Sequence, residues 1–446
     1  ISTPLGEGGI GIVRLSGPQA LSLARRVFRP RRPDISWQAH RLSLGHVVDS
    51  QGGLIDEVLL TYMPGPRTYT REDLVEINCH SGYQVLSRIL ELVLAQGARL
   101  ARPGEFTLRA FLSGRIDLTQ AEAVLEVIQA RTAAALQVAA AHLKGGLGRG
   151  LTDTREALLD LLARVEAALD FPEEADELAP GEAAGIIAGQ EQFLEGLAAS
   201  YREGRVLKEG LKVVIAGRPN VGKSSLLNRL LDQERAIVTE IPGTTRDVIE
   251  EAVVLGGVVV RLSDTAGLGP ARDRLEALGM ARTREQLAQA DLVLYLVDGS
   301  LPLTPADREA LADLQGRPAL AVLNKTDLPL VLLEADLKET AGLPVLKVSA
   351  LTGQGLEDLK QAIVDLALGG GLSPAGEMVT QARHHRHLRK CLDYLRQARE
   401  LLAAAPAWEL VALELKEAIG ELGEITGEDA GEDVLDRIFS QFCLGK

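Results

Sequence analysis

The stretch Leu211-Lys212-Val213-Val214-Ile215-Ala216 reads as a buried strand, and it runs into Gly217-Arg218-Pro219-Asn220-Val221-Gly222-Lys223-Ser224. A helical pattern follows from Ser225 through Leu231. Glycines let such a loop curl so that its amides point at phosphate oxygens, at a helix N-terminus that favours anions. Asn220, Val221, Gly222, Lys223, Ser224 and Ser225 are therefore expected nucleotide contacts. Lys223 reaches the β- and γ-phosphates, and Ser224 ligates Mg²⁺. Three further motifs follow in order. Asp264-Thr265-Ala266-Gly267 closes the strand Val258 to Ser263. Asp264 is placed to hold Mg²⁺ through water, and the Gly267 amide to sense the γ-phosphate. Asn324-Lys325-Thr326-Asp327 follows the strand Ala319 to Leu323. The Asp327 carboxylate accepts from both N1–H and the 2-amino group of guanine, a pair of donors that adenine lacks. Ser349-Ala350-Leu351 then supplies a backbone amide to the guanine oxygen. The nucleotide implied is GTP, not ATP.

Between the phosphate loop and Asp264 lies Thr239-Glu240-Ile241-Pro242-Gly243-Thr244-Thr245-Arg246-Asp247. Its position is that of a switch loop, with Thr245 expected to close on Mg²⁺ when the γ-phosphate is present. Ras-like proteins orient water with a Gln immediately after the Asp-x-x-Gly motif. Here that residue is Leu268, which cannot orient water.

These motifs need a parallel sheet with crossover helices, and strands alternate with helices from about Gly210 to Leu368. On either side, about Leu118 to Leu169 and from about Thr380 onward, the pattern is Ala- and Leu-rich and helical. Thr119 with Glu122 reads as a capping box. The first segment mixes patterns: Ile10 to Leu15, Asp56 to Tyr62 and Asp73 to Asn78 read as strands, Gln84 to Gln96 as a helix. The reading is a multidomain α/β chain: an N-terminal α+β domain (1–115), a discontinuous helical domain (116–208 and 371–446), and an inserted α/β domain (209–370). The Glu203-Gly204 to Glu209-Gly210 stretch and Gly369-Gly370-Gly371 mark the junctions. The chain opens at Ile1 inside what reads as a strand, so a few residues are expected to precede it.

The chain has 446 residues, 46% hydrophobic and 25% charged, which suits a soluble protein of several domains. A net charge of -14 argues against a broad basic surface for nucleic acid. Arg383, His384, His385, Arg386, His387, Arg389 and Lys390 form a local basic cluster, readable as nucleic-acid phosphate contacts or as a solvated helix face. The acidic run Pro172 to Glu177 reads as a loop between helices. Cys79, Cys391 and Cys443 have neither disulfide nor zinc spacing, as in a reducing cytosol. No run is apolar enough to span a bilayer.

The guanine-nucleotide domain, its flanking helices, Thr3-Pro4 through Gly17, Ala101-Arg102-Pro103-Gly104-Glu105-Phe106-Thr107 and the ending Phe442-Cys443-Leu444-Gly445-Lys446 together resemble the MnmE (TrmE) family of tRNA-modifying GTPases. The resemblance implies a Ras-like P-loop GTPase domain inserted in the helical domain, and K⁺ between the phosphates in place of an arginine finger. Asn220, the backbone carbonyls of Thr239 and Ile241, and Thr244 fit its ligands. It also assigns the water-orienting role to Glu276, which from sequence alone reads as an exposed helix residue. Gly269-Pro270 departs from the charged pair expected there, which leaves the local loop path open.

The N-terminal domain resembles folate-binding one-carbon carriers, with Arg14, Glu76, Arg115 and Lys446 matching pocket positions for 5-formyl- or methylene-tetrahydrofolate. Glu76 suits the pterin donors; Arg and Lys suit the glutamate tail. Without the family, each reads as a surface or ion-paired residue. Arg115 stands where a Lys is common. Cys443 is either catalytic, through a covalent adduct, or a small buried hydrophobe.

The implied activity, with an FAD-dependent partner resembling MnmG, is addition of an aminomethyl or carboxymethylaminomethyl group to C5 of the wobble uridine of certain tRNAs. The implied assembly is a cytoplasmic homodimer, in a heterotetramer or larger complex with that partner. The alternative is an Era-like regulatory GTPase of ribosome assembly without one-carbon chemistry. Such proteins carry a basic RNA-binding domain after the G domain, and the net charge, the inserted G domain and the Cys-x-Gly-Lys ending oppose it.

Overall fold

The computed structural model describes residues 1–3, 6, 8–32, 37–171, 178–234, 251–264, 287–368, 378–404, 407–442 and 445. The chain divides into two compact units. One holds 1–125, 142–186 and 397–446; the other holds 126–141 and 187–396.

The first unit contains an antiparallel sheet. Its strands are β1 (Gly11–Ser16), β2 (Phe28–Pro30), β3 (Leu42–Val48), β4 (Leu54–Met63) and β5 (Leu74–Cys79), in the order β1-β5-β4-β3-β2. Strand β1 alternates buried and half-buried residues, and its Val13 and Leu15 pack with Val75, Ile77 and Leu86. Each such side chain contributes about 1.5–3 kcal/mol by leaving water. The alternation turns Arg14 to the other face, opposite Glu76 in the β1–β5 register. The helix Gly146–Asp170 packs against Trp408–Thr426, and Phe439 and Phe442 join Leu118 in a smaller cluster.

The sequence reading needs three corrections here. Residues 1–3 lie in no strand, although the Ser2 amide donates to the Ile12 carbonyl at 2.8 Å. The helix Leu118–Gln129 is capped by Asp117 with Gln120, not by Thr119 with Glu122. Asp117 accepts from the Gln120 amide, Gln120 Oε1 accepts from the Asp117 amide, and the Thr119 hydroxyl donates to Asp117. The acid one position outside the helix wins because its short side chain reaches the exposed amides. The stretch 203–210, read as a junction marked by its glycines, lies mostly in the helix Tyr201–Glu209. Gly204 is there for contact: a Cβ would sit 2.2 Å from the Val379 carbonyl oxygen. Gly369-Gly370-Gly371 and Pro172 to Glu177 lie outside the described residues.

The second unit contains β6 (Leu211–Gly217), β7 (Glu251–Leu255), β8 (Val258–Asp264), β9 (Leu292–Asp298), β10 (Ala319–Asn324) and β11 (Val345–Lys347). Their order is β11-β10-β9-β6-β8-β7, parallel except for the β7–β8 pair. The residues of β9 and β10 are all buried, as expected for strands covered on both faces. No helix among the described residues is long and apolar enough to cross a membrane.

A charged knot braces the first unit. Glu105 is buried and accepts from Arg99, from Arg109 Nη2 at 2.6 Å and from the Arg102 amide at 2.9 Å. Arg109 Nη1 also donates to Glu72 at 2.7 Å. The Arg99 hydrogen bond, against the opposing effect of burial, holds the Glu105 carboxyl down at about 2. A depressed carboxyl stabilises the fold above its unfolded value, and that contribution is lost as pH falls toward the folded one. The unfolding midpoint of the native protein should therefore exceed that of Glu105→Gln at pH 6. The gap should close as pH drops from about 4.5 to about 2, followed by circular dichroism. A gap independent of pH contradicts the assignment.

Candidate functional site

Parallel strands deliver their C-terminal ends to one edge, where loops can converge on a ligand. At that edge β6 ends in Gly217, with φ 145° and no room for a side chain: a Cβ would lie 2.5 Å from the Leu296 carbonyl oxygen. Asn220 has φ 64°, a left-handed conformation that Asn tolerates. Gly222, with φ 101°, leads into the helix Lys223–Glu234. The loop thus presents backbone amides at a helix N-terminus. Lys223 is buried and donates to the carbonyls of Gly217 at 3.0 Å and Arg218 at 2.9 Å. Val221 is buried, while Asn220, Ser224 and Ser225 are exposed.

Asn324 ends β10 and joins the loops. It is 1% exposed. Its Nδ2 donates to the Val221 carbonyl at 2.8 Å, and its Oδ1 accepts the Ala350 amide at 3.0 Å. Any side chain at Gly222 would collide with it, since a Cβ there falls 2.3 Å from Asn324 Nδ2. Asp327 is exposed, and its Oδ1 accepts from the Ser349 hydroxyl at 2.5 Å. That bond fixes the orientation of the carboxylate. Leu351 is exposed. The backbone of Asp264 is registered beside Ile215 of β6.

Two residues at this edge escaped the sequence reading. Asp298, at the end of β9, accepts from Lys325 Nζ at 2.6 Å and from Ser300. Burial opposes its charge, but Lys325 and Ser300 keep the carboxyl below its ordinary value. Arg218 pairs with Asp307 at 2.9 Å. The available signal was an acid at the end of a wholly apolar strand, Leu292–Asp298. Thr239, Glu240, Ile241, Pro242, Gly243, Thr244, Thr245, Thr265, Ala266, Gly267, Glu276, Cys443 and Lys446 lie outside the described residues.

In the first unit, Arg14 and Glu76 pair with each other, Nη2 to Oε1 at 2.6 Å and Nε to Oε1 at 2.8 Å. Arg14 also lies 5.6 Å over the Phe106 ring and donates to the Gly445 carbonyl at 3.3 Å. It borders a cavity of about 490 Å³, with Arg99, Glu105, Phe106, Arg109 and Gly445 also in the wall. Glu76 is not in that wall, and neither is Arg115. Arg115 stacks 4.8 Å over Tyr69 and donates to the Tyr69 carbonyl at 3.3 Å. Arg99 and Arg109 were missed, although Arg109 stands one helical turn beyond Glu105.

The basic cluster on the helix Ala382–Ala404 is only partly exposed. His384 is buried beside Arg383, and His385 stacks on Tyr201 at 4.4 Å. Arg386, Arg389 and Lys390 are exposed.

A strand-to-helix phosphate loop tied through one asparagine to a guanine-reading loop defines the class: a P-loop GTPase. The comparisons with known proteins agree. A family model described as the MnmE helical domain matches residues 118–443, and one described as the N-terminus of the GTP-binding protein TrmE matches 1–115. The tRNA modification GTPase MnmE of Chloroflexus aurantiacus is 50% identical over 448 residues, covering 100% of this chain and 98% of that protein. The one from Symbiobacterium thermophilum is 50% identical over 451 residues, with the same coverage. Among solved structures, the G domain of the T. maritima FeoB iron transporter is 30% identical over 35% of this chain and 98% of that chain, with a TM-score of 0.29. The chain belongs to the MnmE (TrmE) family of tRNA modification GTPases.

Replacing Asp327 by Asn exchanges an acceptor for a donor at the base. The expected result is a loss of GTP affinity of at least about a hundredfold, with a gain for xanthosine triphosphate, whose C2 carries a carbonyl. Competition against a fluorescent GDP measures both. Unchanged base preference contradicts the role given to Asp327.

Proposed function

We propose that this tRNA modification GTPase is potassium-dependent and acts on the wobble uridine. With an FAD-dependent partner resembling MnmG, it adds an aminomethyl or carboxymethylaminomethyl group to C5 of U34 in certain tRNAs. The observation that carries the nucleotide half is the Asn324 bridge between Val221 and Ala350.

In this reading the amides of 220–225 surround the phosphates, and Lys223 exchanges the Gly217 and Arg218 carbonyls for phosphate oxygens. Exchanging two neutral acceptors for anionic ones favours the bound state. Ser224 and Thr245 hold Mg²⁺, with Asp264 acting through water. Hydroxyl and carboxylate oxygens suit that ion. Asp327 and the Ser349-Ala350-Leu351 amides read guanine.

Leu268 cannot orient the attacking water, so that task passes to Glu276. The missing positive charge comes from K⁺, held by Asn220, the carbonyls of Thr239 and Ile241, and Thr244. Support for this lies in Asn220 itself: an exposed carboxamide at the crest of the phosphate loop, a neutral oxygen donor fit for a large monovalent ion. Fixed charge there stabilises charge that develops in the transition state. Pairing of two G domains in a homodimer completes the loop around it.

The cavity beside Arg14 suits a tetrahydrofolate, in 5-formyl or methylene form, in both volume and charge. Arg14 and Lys446 attract its carboxylates, and Glu76 accepts from its pterin. When bound, the folate supplies the one-carbon unit; FAD belongs to the partner. The Gly445 carbonyl accepts from Arg14 and from the Ser2 hydroxyl, which holds Gly445 beside this cavity. Cys443 would act as a nucleophile. GTP hydrolysis times the chemistry by domain movement, in the cytoplasm.

Turnover of GTP in K⁺ should exceed that in Na⁺ at equal ionic strength by at least about tenfold, read as phosphate release. Equal rates in the two salts contradict the cation assignment.

A further inference from the structure

The capping box of the helix Pro305–Asp313 is unusual in where it lies. Thr304 is the N-cap, and its amide and hydroxyl donate to Asp307 Oδ2 at 3.0 and 2.7 Å. Such an acid usually faces water. Asp307 is instead fully buried, 0% exposed. Its Oδ1 accepts from the Tyr295 hydroxyl at 3.2 Å and from Arg218 Nε at 3.0 Å. Arg218 Nε also lies 2.9 Å from Oδ2. Tyr295 is 1% exposed, and burial, followed by Asp307, pushes its phenol upward, so it remains a donor. A cap alone requires neither the arginine nor the tyrosine. Arg218 belongs to the phosphate loop.

Arg218 is held at both ends. Its side chain is fixed by Asp307, and its carbonyl accepts from Lys223. When Lys223 turns to a phosphate, the carbonyl loses that partner. Among the described residues, the Asp307 pair on Arg218 and the Asn324 bond to Val221 then remain as ties on the loop. We propose that Asp307, through Arg218 and with Tyr295, is a positioning residue that holds the phosphate loop in its binding shape once nucleotide has taken Lys223. The inference rests on reading 217–224 as the phosphate-gripping loop. It goes beyond that reading by making grip depend on a carboxylate from another element.

The chemistry separates this role from a purely structural one. Arg218→Gln alone leaves a buried carboxylate without its cation, which destabilises the fold. Adding Asp307→Asn removes that charge, while the amide oxygen still accepts from Thr304. The double variant should therefore recover the unfolding midpoint lost by Arg218→Gln. Its GDP dissociation constant should stay raised by about tenfold, the scale of coupling in one buried network. Preference for guanosine over adenosine nucleotides should not move, since Asp327 and Ser349 are untouched.

The measurements are stopped-flow release of a fluorescent GDP and thermal unfolding of nucleotide-free protein. A double variant that binds GDP as the native chain does overturns the proposal, because a structural pair would recover both properties together. Tyr295→Phe keeps the ring and drops one donor. It should raise GDP release by roughly threefold, and no change there also counts against the proposal. Lys223→Ala serves as control. Native GDP affinity in that variant would overturn the reading of the loop itself, a result distinct from failure of the Asp307 anchor.

Discussion

One buried carboxamide, that of Asn324, makes a single site out of two loops. Its amide nitrogen holds the Val221 carbonyl and its oxygen holds the Ala350 amide. Val221 lies in the segment proposed to receive the phosphates, and Ala350 in the segment proposed to meet the base. Because Asn324 is 1% exposed, neither bond competes with water. Gly222 is a consequence: with Asn324 in place, no side chain can occupy that position. The parallel sheet matters to function because it brings the ends of β6 and β10 close enough for one side chain to span them.

A second device recurs. Carboxylates of low exposure hold arginines beside the places where ligands are proposed to bind. Glu76 holds Arg14, Glu105 holds Arg99 and Arg109, and Asp307 holds Arg218. An isolated buried charge is costly, whereas one that accepts several charge-assisted bonds is well satisfied. The arrangement leaves a guanidinium with a fixed plane and reduced freedom, so less ordering remains to be done when an anion arrives.

The nucleotide loops were legible from sequence because their chemistry is local. A phosphate loop needs its glycines in one short run, and Asn324 and Asp327 stand three positions apart. The parallel strands were legible from continuous apolar runs such as that of Ala319–Asn324. What failed was either short or non-local. The strand Phe28–Pro30 is too brief to show a period, and Leu42–Val48 includes Gly45 and His46, which interrupt the alternation. The 203–210 stretch misled because glycine was read as a breaker, when Gly204 serves a close helix contact with Val379. Thr119 misled because Asp117 competes for the same amides. The Arg218–Asp307 pair spans a sequence separation of 89, and no local pattern announces it. Arg14 and Glu76 were singled out only through family resemblance; that they pair with each other follows from the strand register, which the sequence does not announce.

The most direct measurement is competition of GDP and ADP for the Asn324→Ala protein, set beside the native chain. The native chain should favour GDP by at least about a hundredfold. In the variant, GDP affinity and the preference over ADP should fall together, because one side chain supports both loops. Loss of affinity with base preference intact, or no change in either, would contradict the account.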